Sequence, residues 1–355
     1  MREYSSLLPR MADSAYPGDL GASVVELNAA NAVDYLKRRG MELDHPRISE
    51  LGGGVSNTVL LVESGAPPFV LKQALGKLRV EQEWLADRNR VFRESAALER
   101  LSGQLPHGSL PEVLFVDQEN FAFAMSAAPA AAASWKDLLL RGEVRVETAQ
   151  QVGGLLARIV SSTWRQADWE REFADQTIFT QLRIDPYYRA TALRHSDLEP
   201  RAIRLIAESG ARRMSLTHGD WSPKNFLVDG DRVMAIDFEV IHYGDPSFDT
   251  AFMLNHFLLK SFYRPQWTEL YAAAAAGFWR TFVSGIPQEA FWIEQATLQH
   301  LGWLLLARVD GKSPAEYIRG PELENRVRQF AREWISSPPV SVERAIERLP
   351  FNPTR

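Results

Sequence analysis

The stretch HGDWSPKNFLVDGDRVMAIDFE, residues 218–239, crowds His218, Asp220, Asn225, Asp237 and Glu239 into one loop and the hairpin that follows it. Leu216, Phe226, Leu227, Ile236 and Phe238 surround these acceptors with apolar side chains, where unpaired charge is costly. Such a set makes sense around a cation or a proton in transit. Asp220 and Asn225 are five residues apart around Pro223, so they share one loop. FLVDGDRVMAIDF then reads as a hairpin turning at Asp229-Gly230-Asp231, which returns Asp237 to the neighbourhood of Asn225. One carboxylate is left to meet a substrate hydroxyl, while a second carboxylate and an amide oxygen hold Mg²⁺. Phosphoryl transfer requires these parts.

A second group of residues lies upstream. LGGGVSNTVLLV (51–62) is a glycine-rich turn feeding a strand, in which Gly52, Gly53 and Gly54, with Ser56 and Asn57, let backbone amides approach phosphates. It is not a G-x-x-x-x-G-K-[ST] loop. Lys72 closes the apolar strand FVLK; read alone it is better taken as a surface lysine with a snorkelling stem, and the glycine loop upstream and acidic helix downstream make it a candidate for the nucleotide phosphates. Glu94 is the preferred partner for that lysine, because Ala96, Ala97, Leu98 and Leu101 mark its part of the helix as sheet-facing; Glu83 and Glu99 are rivals.

The elements that must position these residues fall into two groups. SVVELNAANAVDYLKRRG (23–40) reads as a helix ended by Gly40. NTVLLV, FVLK, EVLFVD and FAFAM read as strands in two hairpins, with a helix over 81–101 between the pairs. That order predicts a small antiparallel sheet with one helix on it. AAPAAAAS (127–134) marks a connector. Beyond it, Val152, Leu155, Leu156, Ile159 and Val160 share one helical face, and 246–336 is almost continuously helical. The expected organisation is a loose arm (1–22), an N-lobe (23–126), a hinge (127–134), a helical C-lobe (135–340) and a C-terminal tail (341–355), an α+β chain of two lobes.

GGGVSN, FVLKQ, FRESAAL, HGDWSPKN, IDFE and GDPSFD together resemble the aminoglycoside phosphotransferase and choline kinase superfamily, over most of residues 25–335. LKQALGKLRVEQEW and DRNRVFRE are similar to the first lobe of methylthioribose kinases. Asn225 and Phe238 depart from those kinases, which carry a small residue and a proline there, and keep the commoner superfamily residues. The resemblance implies a protein-kinase-like fold and an ATP- and Mg²⁺-dependent kinase. Asp220 would be the catalytic base or hydroxyl orienter, and Asn225 and Asp237 would hold the metal, with Glu239 binding or orienting it. Lys72, held by Glu94, would contact the phosphates. The backbone after Met125, through Ala127, would meet adenine. His218 and Asp249 would brace the loop.

The acceptor is expected from the helical half. Arg183 and Tyr187 in a Pro-broken segment, Trp221 directly after the base, His242, and Arg308 past an apolar helix are candidates, each with an ordinary structural role as the alternative. Glu269, Glu289 and Glu294 mix with Arg264, Arg280 and Arg308, a lining that suits a neutral sugar, nucleoside or polyol; an aminoglycoside or amino-alcohol kinase is the alternative. A silent nucleotide-binding module is the reading from another class, but no catalytic position is replaced. The short interval between Asp237 and Pro246 leaves no activation segment for a protein substrate.

Composition narrows the field further. The 355-residue chain is 45% hydrophobic, which suffices for two cores, and its net charge of -5 disfavours a general nucleic-acid binder. It has no cysteine, which excludes disulfides, thiolate metal sites and cysteine nucleophiles. No apolar run approaches the roughly 20 residues a bilayer span needs. A cytoplasmic protein without a membrane partner is expected.

Overall fold

The computed structural model describes residues 24–52, 56–76 and 87–349. Two compact units emerge, one running to Gly103 and resuming over Leu110–Ala130, the other formed by Gln104–Ser109 and the chain from Ala131 onward. The arm at 1–22, Gly53, Gly54 and the first part of the expected 81–101 helix lie outside the described residues.

The first unit is a five-stranded antiparallel sheet: β1 (Arg47–Glu50), β2 (Asn57–Glu63), β3 (Phe69–Ala74), β4 (Val113–Asp117) and β5 (Ala122–Ser126), in the order β1-β2-β3-β5-β4. Alternation along β3 sorts its side chains. Phe69 and Leu71 join Leu60, Val62, Ala122 and Ala124 in a core covered by Tyr35 and Leu36 of the N-terminal helix α1 (Ala32–Arg38) and by Leu27 and Met41 on either side of it. Lys72, one residue out of phase, faces the other side, where α2 (Arg90–Leu101) packs.

Helix α1 is shorter than its sequence pattern suggests. The Asn28 side chain accepts from the amides of Ala30 and Asn31, making a turn that delays α1. Residues before it run extended, with the amides of Val25 and Leu27 held by the Asn120 and Gln73 side chains. Gly40 ends α1 as expected, with φ of 78° and a Met41 N–H to Leu36 carbonyl bond. The α2 helix starts only at Arg90, after a turn in which Asp87 accepts from the Asn89 amide.

The second unit is mainly helical. After β6 (Ala133–Ser134) come α3 (Trp135–Leu140), α4 (Val146–Thr163), α5 (Ala167–Phe173) and α6 (Thr177–Phe179). A π-helix over Thr180–Arg189 leads into α7 (Ala190–Arg194) and α8 (Glu199–Ala211). The strands β7 (Ser215–Thr217), β8 (Phe226–Asp229), β9 (Arg232–Ala235) and β10 (His242–Gly244) carry the acidic segment. The helices α9 (Ser247–Tyr263), α10 (Thr268–Ser284), α11 (Ile293–Asp310), α12 (Pro321–Ser336) and α13 (Val342–Glu347) complete it.

Part of the expected connector is therefore a strand, since β6 pairs with β8. The expected tail contributes α13, whose Val342 and Ala345 are buried with Leu349. The segment around Pro186 is not broken but wound wider, a local geometry that often marks functional sites. Helices α4 and α10 approach closely at Gly153, where a Cβ would collide with the Phe278 carbonyl oxygen.

Arg90 is 1% exposed and donates to the carbonyls of Asp87, Ser56 and Leu75, tying α2 to the ends of β2 and β3. Replacing it by methionine leaves three acceptors without this donor. Chemical denaturation of Arg90→Met should show a loss of about 2–4 kcal/mol; a loss below about 0.5 kcal/mol would show that this tie is dispensable.

Candidate active site

The loop between β7 and β8 is shaped by backbone bonds to buried side chains. Asp249, at the start of α9, accepts from the amides of His218 (2.6 Å) and Gly219 (2.8 Å). Gly219 has φ of 76°, and a Cβ there would lie 2.8 Å from Val240, so only glycine fits. The His218 ring accepts from the Asp220 amide at Nδ1 (3.2 Å), which leaves Nε2 as the protonated nitrogen facing the Ile236 carbonyl at 3.3 Å. His218 thus ties the loop to the returning strand as a neutral imidazole. Burial, against the pull of Asp220 and Asp237, lowers its pKa to about 4. Burial pushes the Asp249 carboxyl up to about 7, and its two N–H donors hold it from rising further.

Asp220 is 3% exposed. Its carboxylate meets two cations: Arg183 Nη2 at 2.9 Å, from the π-helix, and Lys224 Nζ at 2.8 Å, from its own loop. Burial opposes ionisation, but Arg183 and Lys224 outweigh it and hold the carboxyl below the usual range. Arg183 also donates through Nε to the Gly219 carbonyl at 2.5 Å, so it fixes backbone and charge together.

Asn225 donates its amide to the Asp220 carbonyl at 2.9 Å, which orients the side chain and leaves its oxygen as the acceptor for a cation. Its own carbonyl accepts from the Ile236 amide at 3.0 Å, and Phe226 pairs with Ala235. The hairpin therefore brings Asp237 back to Asn225. Asp237 has φ of 66°, a left-handed conformation costing about 1–3 kcal/mol in a non-glycine residue. Glu239 is 6% exposed two residues on. Among the described residues no three His, Asp or Glu side chains gather as a metal cluster. An amide oxygen and one or two carboxylates fit Mg²⁺, which takes its remaining ligands from phosphates and water.

In the first unit, Lys72 Nζ lies 2.7 Å from Glu94 Oε2, and both side chains are almost fully buried. Glu99 is exposed and Glu83 lies outside the described residues, so Glu94 is the partner. Gly52 is exposed; Ser56 and Asn57 are buried, with Asn57 Nδ2 bonded to Ser56 Oγ at 3.0 Å. Met125 pairs with both Val70 and Val113 within the sheet. The Ala127 amide is donated to the Pro68 carbonyl at 3.3 Å, so it is not available to adenine in this conformation.

Two acceptor-side expectations are corrected. Trp221 is 0% exposed, packed edge-on against Phe226 (4.7 Å) and His218 (5.3 Å), so it supports the loop from inside. His242 is buried on β10, stacks on Phe179 at 4.1 Å and lines a cavity with Gln176, Ser209 and Asp245. Arg183, Tyr187 and Arg308 are brought together. Arg308 lies within α11, not in a turn, and donates to the Tyr187 hydroxyl at 3.2 Å, while both guanidinium groups lie 6.0 Å from the Tyr187 ring. Lys224 was not singled out from sequence, although its position four residues after Asp220 was the available signal.

The profile of the phosphotransferase enzyme family, APH, matches residues 47–292. The chain belongs to this phosphotransferase family. It is 27% identical over 271 residues to methylthioribose kinase 1 of Oryza sativa subsp. japonica, covering 66% of this chain and 63% of that protein. It is 26% identical over 253 residues to a methylthioribose kinase of Escherichia coli O45:K1 (strain S88 / ExPEC), covering 62% and 59%. The chain thus spans about 63% of the length of the rice relative. An amicoumacin kinase in complex with AMP-PNP and Ca²⁺ superposes with a TM-score of 0.52 at 12% identity, covering 90% of this chain and 95% of that one. The chain accordingly has the protein-kinase-like fold. Among the described residues, no helix is long and apolar enough to cross a membrane.

Between about pH 4 and 6.5 the unfolded chain binds a proton at His218 that the native protein does not, so His218 makes stability rise with pH across that window. Asp249 runs the other way over much of the same range, so the difference between wild type and variant isolates the histidine. Wild type minus His218→Gln should give a stability difference rising by up to about 1.4 kcal/mol per pH unit. Urea titrations from pH 4.5 to 7 measure it, and a flat difference would mean that His218 titrates normally.

Proposed function

We propose that this phosphotransferase is an ATP- and Mg²⁺-dependent kinase that transfers the γ-phosphoryl group to a hydroxyl of a small molecule of the sugar, nucleoside or polyol type. The observation that carries the reading is the buried, ionised Asp220 on the loop whose Asn225 is backbone-bonded to Ile236, the residue before Asp237. The family match and the methylthioribose kinases among the relatives support it.

In the reaction, the acceptor oxygen forms a bond to the γ-phosphorus as the bond to the β–γ bridging oxygen breaks. Asp220 orients the hydroxyl and receives its proton. The carboxyl's lowered pKa makes it a weak base, which suits a loose transition state in which proton transfer comes late. Mg²⁺, when bound, supplies charge neutralisation on the phosphates, and Asn225 and Asp237, aided by Glu239, would hold it. Lys224, whose side chain is half exposed, places a cation 2.8 Å from the carboxylate that faces the hydroxyl. It would stabilise the transferring group. Lys72, oriented by Glu94, would contact the nucleotide phosphates.

A polycationic aminoglycoside fits this lining poorly, because Arg183, Lys224 and Arg308 stand around the proposed hydroxyl position. The test is ADP release across a panel of methylthioribose, other pentoses, nucleosides, choline and aminoglycosides. Asp220→Asn should lose at least about 10³-fold in kcat, and Lys224→Ala about 10–100-fold, with ATP binding retained in both. Turnover by Asp220→Asn at the wild-type rate would remove Asp220 from the mechanism.

A further inference from the structure

Next to the proposed hydroxyl position the second unit carries polar groups that this chemistry does not use. Phe252, His256 and Lys260 recur every four residues along α9 and form one face. The face begins at the catalytic loop: Arg183, which holds Asp220, lies 5.9 Å from the Phe252 ring, and Tyr187 packs on it edge-first at 5.6 Å. His256 continues it, 5.4 Å from Phe252. Lys260 lies about 12 Å along the helix from Phe252, at 1.5 Å per residue.

Lys260 is 0% exposed, and its ammonium has no hydrogen-bond partner; it sits 5.5 Å over the Tyr317 ring. The Tyr317 hydroxyl is also buried without a partner, as is Nε of Arg308. The side chains thus present an ammonium, a guanidinium N–H and a hydroxyl, all buried and none satisfied. Native proteins leave few such groups unpaired. Burial, with Lys136 and Arg308 nearby, lowers the Lys260 pKa to about 7, so its charged form is held only weakly until an anion sits beside it. Glu316, the carboxylate next in sequence to Tyr317, is ion-paired to Lys136. The surroundings are positive enough that burial, with Lys260, Arg308, Lys224 and Lys136, drives the His256 pKa well below its ordinary value. The acids that make these helices look mixed in sequence lie elsewhere: Glu269 is exposed, Glu289 accepts from Trp164, and Glu294 accepts from the Val342 amide.

We propose that the acceptor is itself an anion, presenting its hydroxyl to Asp220 and a carboxylate or phosphate group to Lys260, Arg308 and Tyr317. This rests on the kinase reading and narrows it from neutral polyols to hydroxylated acids or sugar phosphates. The anion completes the hydrogen bonding of all three groups, and Lys260 regains a charged partner.

The experiment measures binding rather than turnover, with the nucleotide site filled by Mg²⁺ and a non-hydrolysable ATP analogue. Matched pairs are compared at constant ionic strength: sorbitol against gluconate for a carboxylate, ribose against ribose 5-phosphate for a phosphate. Calorimetry should show an anionic member binding at least about tenfold more tightly than its neutral twin. Lys260→Met and Arg308→Gln should remove that preference, and Lys260→Arg should keep most of it. Equal binding within both pairs, no binding by any member, or a preference unchanged in Lys260→Met would overturn the proposal. Asp220→Asn should bind the anion as wild type does while losing phosphoryl transfer, so failure of the anion site and failure of the kinase reading are read from different measurements.

Discussion

A carboxylate buried to 3% exposure survives as an anion only if its surroundings supply positive charge, and for Asp220 two cations do so at 2.9 and 2.8 Å. Removing such a charge from water costs several kcal/mol, and the cost is offset only by close, well-directed partners. Much of the second unit serves that requirement. Arg183 reaches Asp220 from a helix wound in π geometry, and the same guanidinium holds the Gly219 carbonyl. Asp249 holds the amides of His218 and Gly219. The loop is therefore gripped on its carbonyl and amide sides at once, with Trp221 filling the interior beneath it.

The π-helix is in turn held by the end of α11. The carbonyl of Pro186 accepts from the Lys312 amide at 3.1 Å, and Gly311 allows this approach, since a Cβ there would lie 2.9 Å from that carbonyl. Ser313 receives Arg308 through its carbonyl and hydroxyl, and Arg308 reaches Tyr187 on the π-helix. The segment that positions the base is thus connected through packed, hydrogen-bonded contacts to residues over a hundred positions later.

How far the sequence carried this depended on the range of each interaction. Lys72 and its partner were legible because strand alternation and helix periodicity are local patterns, and each faces one side of the sheet. The acidic loop and hairpin were legible because a two-residue turn dictates where Asp237 returns. The start of α1 was not, because an Asn28 side-chain turn overrode helix-forming neighbours. Trp221 was misread because being next to Asp220 in the chain says nothing of where the ring points; successive side chains diverge, and this one enters the core. The Arg183–Asp220 pair joins residues 37 positions apart in sequence, and no periodicity announces such a contact.

Charge was the hardest property to read. Glutamates and arginines alternate through the downstream helices, and counting them suggests a neutral lining. Folding separates the two signs. Glu289 and Glu294 anchor Trp164 and the start of α13, while Arg308 and Lys260 turn inward beside Tyr187 and Tyr317. A composition-level balance can therefore coexist with a local excess of positive charge, because burial selects which charges face a ligand and which serve as ties elsewhere. The same selection holds at Asp220, where two cations face one carboxylate. An electrostatic lining of that sign opposes a cationic acceptor and favours one that brings its own negative charge, whatever the sum over the chain.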